Sequence, residues 1–202
     1  MFNMNISKQI EYIKNKKSDI IDNIEQNDFN NIIYVKKDAI IDFLKFLRDD
    51  NNLKFKMLID LFGADLLGIR SPRFEVIYNL LSFKYNNRLV VKVALEDVES
   101  VASATKLFEA ANWAEREIFD MYGIKFDNHP DLRRILTDYN FKDFPLRKDF
   151  PLTGYEEVRY DEEKKAVIYE KVKLTQEFRN FDFESPWSGI QNQLPGDEKA
   201  SK

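Results

Sequence analysis

The sequence predicts an α+β chain that continues into an extended C-terminal arm, and three observations carry this. Two alternating stretches between Arg73 and Leu95 face each other across Asn86-Asn87. Apolar residues recur at helical spacing over 5–24, 38–47 and 101–121. Beyond Ile124 that periodicity stops, and five of the six prolines (Pro130, Pro145, Pro151, Pro186 and Pro195) fall there.

Taken in order, Ile6, Ile10, Ile13, Ile20, Ile21 and Ile24 predict an amphipathic helix over 5–24. The segment 31–36, NIIYVK, is short and β-branched, which predicts a strand. Asp38 then opens a second helix with Ile40, Ile41, Leu44 and Leu47 on one face. Residues 55–62 predict a strand ended by Gly63. In the next strand Phe74, Val76, Tyr78 and Leu80 alternate with Glu75, Ile77 and Asn79. Asparagine tolerates positive φ, so Asn86-Asn87 suits a tight hairpin turn, and Leu89, Val91, Val93 and Leu95 form the return strand. After Ser100, the residues Val101, Ala104, Leu107, Phe108, Ala111, Ala114, Ile118 and Met121 predict helix, with Gly123 as a left-handed cap. Asn112 and Glu115 have the spacing of a capping box, which would divide this stretch into two helices.

The stretch beyond Ile124 has a different texture. One hairpin is expected, EVRY and AVIYEKV flanking a charged turn at 161–165. Phe141, Phe144, Phe150, Tyr155, Tyr160, Tyr169, Phe178, Phe181, Phe183 and Trp187 lie among the prolines, too many large rings for such a segment to bury against itself. The expected organisation is an N-terminal helical segment at 1–30 and an α+β core at 31–127. A partner-wrapping arm at 128–190 and a disordered tail at 191–202 follow.

Composition excludes several classes. With 31 basic and 35 acidic residues the formal charge is −4, which offers no overall positive field to a nucleic acid. Charged residues interrupt every apolar run, so no spanning helix is expected, and the N-terminus lacks the apolar core of a signal peptide. There is no cysteine, which removes disulfides and the usual ligands of iron-sulfur clusters and structural zinc. None of the six glycines falls in a dinucleotide-binding or P-loop pattern.

The run 115–148, EREIFDMYGIKFDNHPDLRRILTDYNFKDFPLRK, resembles the signature of the 30 kDa subunit of respiratory NADH:quinone oxidoreductase (complex I). The resemblance continues through Gly154-Tyr155, 157–161 (EVRYD) and Phe181 to Trp187, and covers about 31–189. One departure is local: Asp143-Phe144 stands where the family usually has Gly-His before Pro-Leu-Arg-Lys. The resemblance implies a two-layer sandwich, a mixed or antiparallel sheet with helices on one face. It also implies a wrapping tail on the hydrogenase-large-subunit-like 49 kDa chain, beside a cluster-bearing subunit. The role implied is structural, on the cytoplasmic side of the bacterial inner membrane. NADH, FMN, iron-sulfur clusters and quinone would sit in other subunits, with no cofactor, metal or catalytic residue in this chain. Related subunits occur in membrane-bound hydrogenases, and a free-standing binding module or assembly factor is the reading from a different class.

The residues that could carry chemistry are Glu115, Arg116, Glu117, Asp120, His129, Asp131, Arg133, Arg134, Arg147, Lys148 and Trp187. His129, the single histidine, suits a turn or interface bond better than a proton carrier or a metal site. Of the helix carboxylates only Glu117 and Asp120 have a spacing that lets them meet, and caps or ion pairs are the expected use. Arg133-Arg134 and Arg147-Lys148 have acidic neighbours in Asp131, Asp138, Asp143 and Asp149, which predicts salt bridges rather than a phosphate site. Trp113, Trp187 and the tail aromatics are expected as partner anchors rather than as a quinone pocket. The site expected is therefore a partner interface.

Overall fold

The structure, a computed structural model, describes residues 5–27 and 30–176. These divide into two compact units that part between Gly154 and Tyr155.

The first unit is built on a five-stranded sheet. Helix α1 (Ile6–Lys17) leads into β1 (Ile21–Gln26) and β2 (Asn31–Val35). One 3-10 turn at Lys37–Ala39 precedes α2 (Ile40–Asp49), followed by β3 (Met57–Asp65), β4 (Phe74–Ser82) and β5 (Asn87–Leu95). The strand order is β1-β2-β5-β4-β3. Only β2 and β5 pair in parallel; the other neighbours are antiparallel. Val76, Tyr78 and Leu80 on β4 and Val91, Val93 and Leu95 on β5 share one face with Leu58 and Leu61 on β3. Ile10 and Ile13 of α1 and Ile40, Phe43, Leu44 and Leu47 of α2 complete the same buried core, so the helices cover that face. The expected α+β class with a mixed sheet is what forms.

Beyond the sheet come β6 (Ser100–Ala102), α3 (Ala111–Tyr122) and β7 (Lys125–Asp127), and β6 pairs with β7 in parallel. The second unit holds the hairpin of β8 (Glu156–Asp161) and β9 (Ala166–Lys171) at the expected place. Among the described residues no helix is long and apolar enough to cross a membrane.

Several elements differ from expectation. Helix α1 stops at Lys17, where Lys14, Lys16 and Lys17 complement the negative helix end, and Ile21 and Ile24 beyond it join a strand. Isoleucine is stiff at χ1 and fits a pleated edge, and pairing with β2 outweighs the helical spacing. Strand β3 runs through Gly63 because α3 crosses there: a Cβ would lie 2.9 Å from the Tyr122 ring. Residues 101–121 are not continuous helix, since Val101 pairs with Phe126 and α3 begins only at Ala111. Gly123 does end α3 in the left-handed region, at φ 79°. Hydrogen bonds cross the boundary expected after residue 127, since two buried carboxylates of the core draw donors from 134–148, and the compact units part after 154.

Candidate functional site

The polar residues of the family-like run meet on and around α3. Helical spacing sends Glu115, Arg116, Ile118 and Asp120 inward and leaves Trp113 and Glu117 exposed. Each inward polar group must then be satisfied, since an unpaired buried polar atom costs about 1–3 kcal/mol.

Asp120 is fully buried and acts as a hub. Its Oδ2 accepts the backbone N–H groups of Ile135, Leu136 and Thr137 at 3.0, 2.7 and 2.9 Å. Its Oδ1 accepts from Arg134 Nη1 at 2.8 Å and from the Thr137 hydroxyl. Burial alone would raise its pKa, but these bonds to the charged form hold it well below the usual carboxylate range. Arg116 completes the clasp, donating through Nε and Nη2 to the carbonyls of Arg133 and Arg134 at 3.1 and 3.0 Å. The segment after Pro130 is thus fixed to α3 by its backbone.

A second hub, Asp65 at the end of β3, also has a fully buried side chain. Arg73 grips it with two bonds of 2.9 and 2.7 Å, and the N–H groups of Leu67 and Lys148 add 3.0 and 2.8 Å. Burial opposes ionisation here too, yet the Arg73 fork and the backbone donors bring the pKa down to about 2. Arg73 reaches on to Asp149 at 2.7 Å, so the segment 146–149 is tied to the sheet, and Leu146 N–H donates to the Met121 carbonyl at 3.1 Å.

Between the hubs runs a ladder of alternating guanidinium groups and rings. Arg134 lies 5.3 Å from the Phe144 ring, Phe144 is 4.9 Å from Arg147, Arg147 is 5.0 Å from Phe74, and Phe74 is 4.7 Å from Arg73. Three like charges tolerate this spacing because each has its own carboxylate: Asp120 for Arg134, Asp97 for Arg147, Asp65 for Arg73. Arg147 Nε also donates to the Tyr122 carbonyl at 2.7 Å. Phe144, the departure from the family pattern, fills the middle rung and closes over Gly123, where a Cβ would fall 2.5 Å from its ring.

Glu115 departs from the expected capping box. It accepts the Ser103 hydroxyl at 2.6 Å and the Ala104 N–H at 2.7 Å, both upstream of α3 rather than at its start. Burial pushes its pKa up to about 7, against the two hydrogen bonds. His129 bonds the Asn112 carbonyl through Nε2 at 3.0 Å and accepts the Asp131 N–H at Nδ1, also 3.0 Å.

Of the sequence-selected residues, Glu115, Arg116, Asp120, His129, Arg134 and Arg147 are thus drawn into one intramolecular assembly. Glu117, Asp131, Arg133 and Lys148 present exposed residues, Arg133 pairing with its neighbour Asp131 at 2.9 Å. Trp187 lies outside the described residues. Asp65, Arg73 and Ser103 are site members that sequence reasoning does not select, and Phe144, noted there as a departure and a tail aromatic, joins them through its place between two arginines. Asp65 has a signal: it continues the buried phase of Leu61 and Gly63, where a carboxylate requires a partner. No group of three or more His, Cys, Asp or Glu that could hold a metal occurs among the described residues.

The hairpin of the second unit has two unlike faces. Val158 pairs with Tyr169 and Tyr160 with Val167, so all four point to one side. Val158, Tyr160 and Val167 are 51, 59 and 58% exposed.

Residues 33–156 match the family model described as respiratory-chain NADH dehydrogenase, 30 kDa subunit. An NADH-quinone oxidoreductase subunit from Hyphomonas neptunium is 56% identical over 84% of this chain and 84% of its own length. An NADH-quinone oxidoreductase subunit from Rhizobium meliloti is 51% identical over 96% of both chains. A solved structure, Nqo5 of the trypsin-resistant fragment (1-134), superposes with a TM-score of 0.53 at 28% identity, over 63% of this chain and 98% of that one. A chain of the archaeal membrane-bound sulfane sulfur reductase complex shares the fold, with a TM-score of 0.60 at 21% identity over 72% and 85%.

Proposed function

Since the chain belongs to the respiratory-chain NADH dehydrogenase 30 kDa subunit family, we propose that it is a structural subunit of a proton-translocating NADH:quinone oxidoreductase. It has no redox step of its own, and holds the hydrogenase-like quinone-site subunit against a cluster-bearing neighbour while electrons pass from NADH to quinone. NADH, FMN, the clusters and quinone belong to other chains of the complex, in keeping with a sequence that contains no cysteine. Its association with the cytoplasmic face of the inner membrane is indirect, through the complex.

One observation carries the holding role: the half-exposed apolar face of the β8–β9 hairpin. A two-stranded hairpin is marginal in water by itself, and aromatic residues with a polar handle are the side chains that anchor protein interfaces. On the first unit, Glu117, Asp131, Arg133 and Lys148 offer charged contacts, and Trp113, 71% exposed, an aromatic anchor. Trp187 is assigned to the same partner.

The test is replacement of Val158, Tyr160 and Val167 together by threonine, read in native membranes. The amount of assembled complex should fall at least tenfold while the free chain keeps its thermal transition, hot-spot losses exceeding about 2 kcal/mol. Normal assembly with normal quinone reduction would overturn the holding role of this face. Normal assembly with lost turnover would point instead to a direct part in quinone chemistry.

A further inference from the structure

The side chains of Glu115 and His129 are fully buried, with Oε2 and Nε2 3.9 Å apart. The Asp131 N–H points at His129 Nδ1, which accepts it, and the Asn112 carbonyl can only accept, so Nε2 carries the hydrogen donated there. The histidine donates through Nε2, and the Glu115 carboxyl is the next acceptor within reach.

A path to solvent leads from that carboxyl. Glu115 Oε2 lies 2.6 Å from Ser103 Oγ, and Ser103 Oγ lies 2.8 Å from Thr105 Oγ1. Thr105 in turn lines an open surface cleft of about 310 Å³ with Lys106, Glu109, Asn112, Asn128 and Pro130. A hydroxyl both donates and accepts, so two in series can pass a proton between a buried carboxyl and water in the cleft.

We propose that Glu115 is a proton-binding site that exchanges with the cleft through Ser103 and Thr105, and that its ionisation draws the Nε2–H of His129 from the Asn112 carbonyl to Glu115 Oε2. The proton leaves to water; the histidine keeps its own hydrogen and changes only its acceptor. Closing 3.9 Å to hydrogen-bond length moves the ring by about 1 Å, and the Asp131 N–H bonded to its far nitrogen moves with it. The His129–Asp131 turn is thereby linked to the protonation of α3.

The charges around the site favour the neutral acid. Among the described residues no lysine or arginine meets the carboxyl, because Arg116, beside it on α3, is turned to the carbonyls of Arg133 and Arg134. Lys106 and Glu109 stand together on the cleft, and Asp127 of β7 is engaged by the Ser100 hydroxyl. From the sheet the facing titratable group is Tyr78, whose hydroxyl is wholly buried with no hydrogen-bond partner among the described residues. Burial, and next the Glu115 charge, push that phenol up. Burial likewise sets Glu115 to about 7, against 4.5 for an ordinary glutamate.

Carbon-13 NMR of the glutamate carboxyls in the full chain tests this, with Glu115 identified by its absence in Glu115→Gln, or by through-bond assignment if that variant does not fold. The Glu115 signal should titrate near pH 7, and the Asp131 amide should shift with the same midpoint and stay still in Glu115→Gln. Thr105→Val should leave the midpoint in place and slow proton exchange at Glu115. A midpoint in the ordinary range near 4.5 would overturn the proton site. A neutral-range midpoint with a motionless Asp131 amide would overturn the coupling to the turn, and unaltered exchange in Thr105→Val would overturn the path.

Discussion

Asp120→Asn is the sharpest probe of the assembly on α3. The native carboxylate accepts three backbone N–H groups on one oxygen, and Arg134 and the Thr137 hydroxyl on the other. An asparagine keeps one acceptor. If its oxygen faces the backbone donors, its amide hydrogens face the guanidinium, and the reverse placement sets two hydrogens against three N–H groups. Arg134, only 11% exposed, is left without its carboxylate either way. Breaking a buried pair from one side costs about 3–5 kcal/mol, a large part of the roughly 5–15 kcal/mol that stabilises a domain. Denaturant unfolding of the full chain measures the loss as a lower midpoint at unchanged slope. Adding Arg134→Met removes the stranded charge, so the double variant should be more stable than the sum of the single losses predicts by about 1–3 kcal/mol. A single loss below about 1 kcal/mol, or strict additivity in the cycle, would refute the hub.

Two further outcomes follow from the same contacts. A chain ending at Asp127 deprives Asp120 of Arg134 and of every backbone donor, and Asp65 of Lys148, whereas one ending at Gly154 keeps both sets; circular dichroism should show a cooperative thermal transition for the longer chain and a much lowered one for the shorter, and equal midpoints would return the boundary to 127. Asp65, lowered from 3.8 to about 2, stabilises the fold above its ordinary pKa and loses that contribution as pH falls from about 4 to 2, some 2 kcal/mol in all. Asp65→Asn should remove that slope from stability measured against pH, and an unchanged slope would show that Asp65 is not responsible.

What the sequence makes legible is what neighbours along the chain decide. The β4–β5 hairpin carries its alternation and its turn within one stretch, α2 carries its apolar face, and Gly123 marks the end of α3 by its own φ. The β6–β7 pairing is hidden because Val101 meets Phe126 across the whole of α3, and a local window sees only helical spacing. β1 is hidden for a similar reason, since its isoleucines satisfy both periods and only the presence of β2 decides. At the site, Asp120 and Arg134 stand out within the family-like run, while their mutual pairing does not. Glu115 draws attention for the wrong partner, because its donors Ser103 and Ala104 precede a helix that periodicity alone starts too early. Phe144 is visible as a departure, and its rung between two arginines emerges only once 134 and 147 are brought together.

The sheet order also sets a timetable. During synthesis α1, β1, β2 and α2 leave the ribosome first, yet β2 finds its inner neighbour only in β5, after β3 and β4 have been made. At about 5–20 residues per second that interval lasts several seconds, during which Ile32, Ile33 and Tyr34 have no partner strand on that side. The meander of β3, β4 and β5 assembles from adjacent strands and can form as soon as it emerges, with the earlier hairpin docking onto it afterwards. A nascent chain stalled before β5 is then the species that offers open strand edges to chaperones, and release of β5 is the moment at which that demand ends.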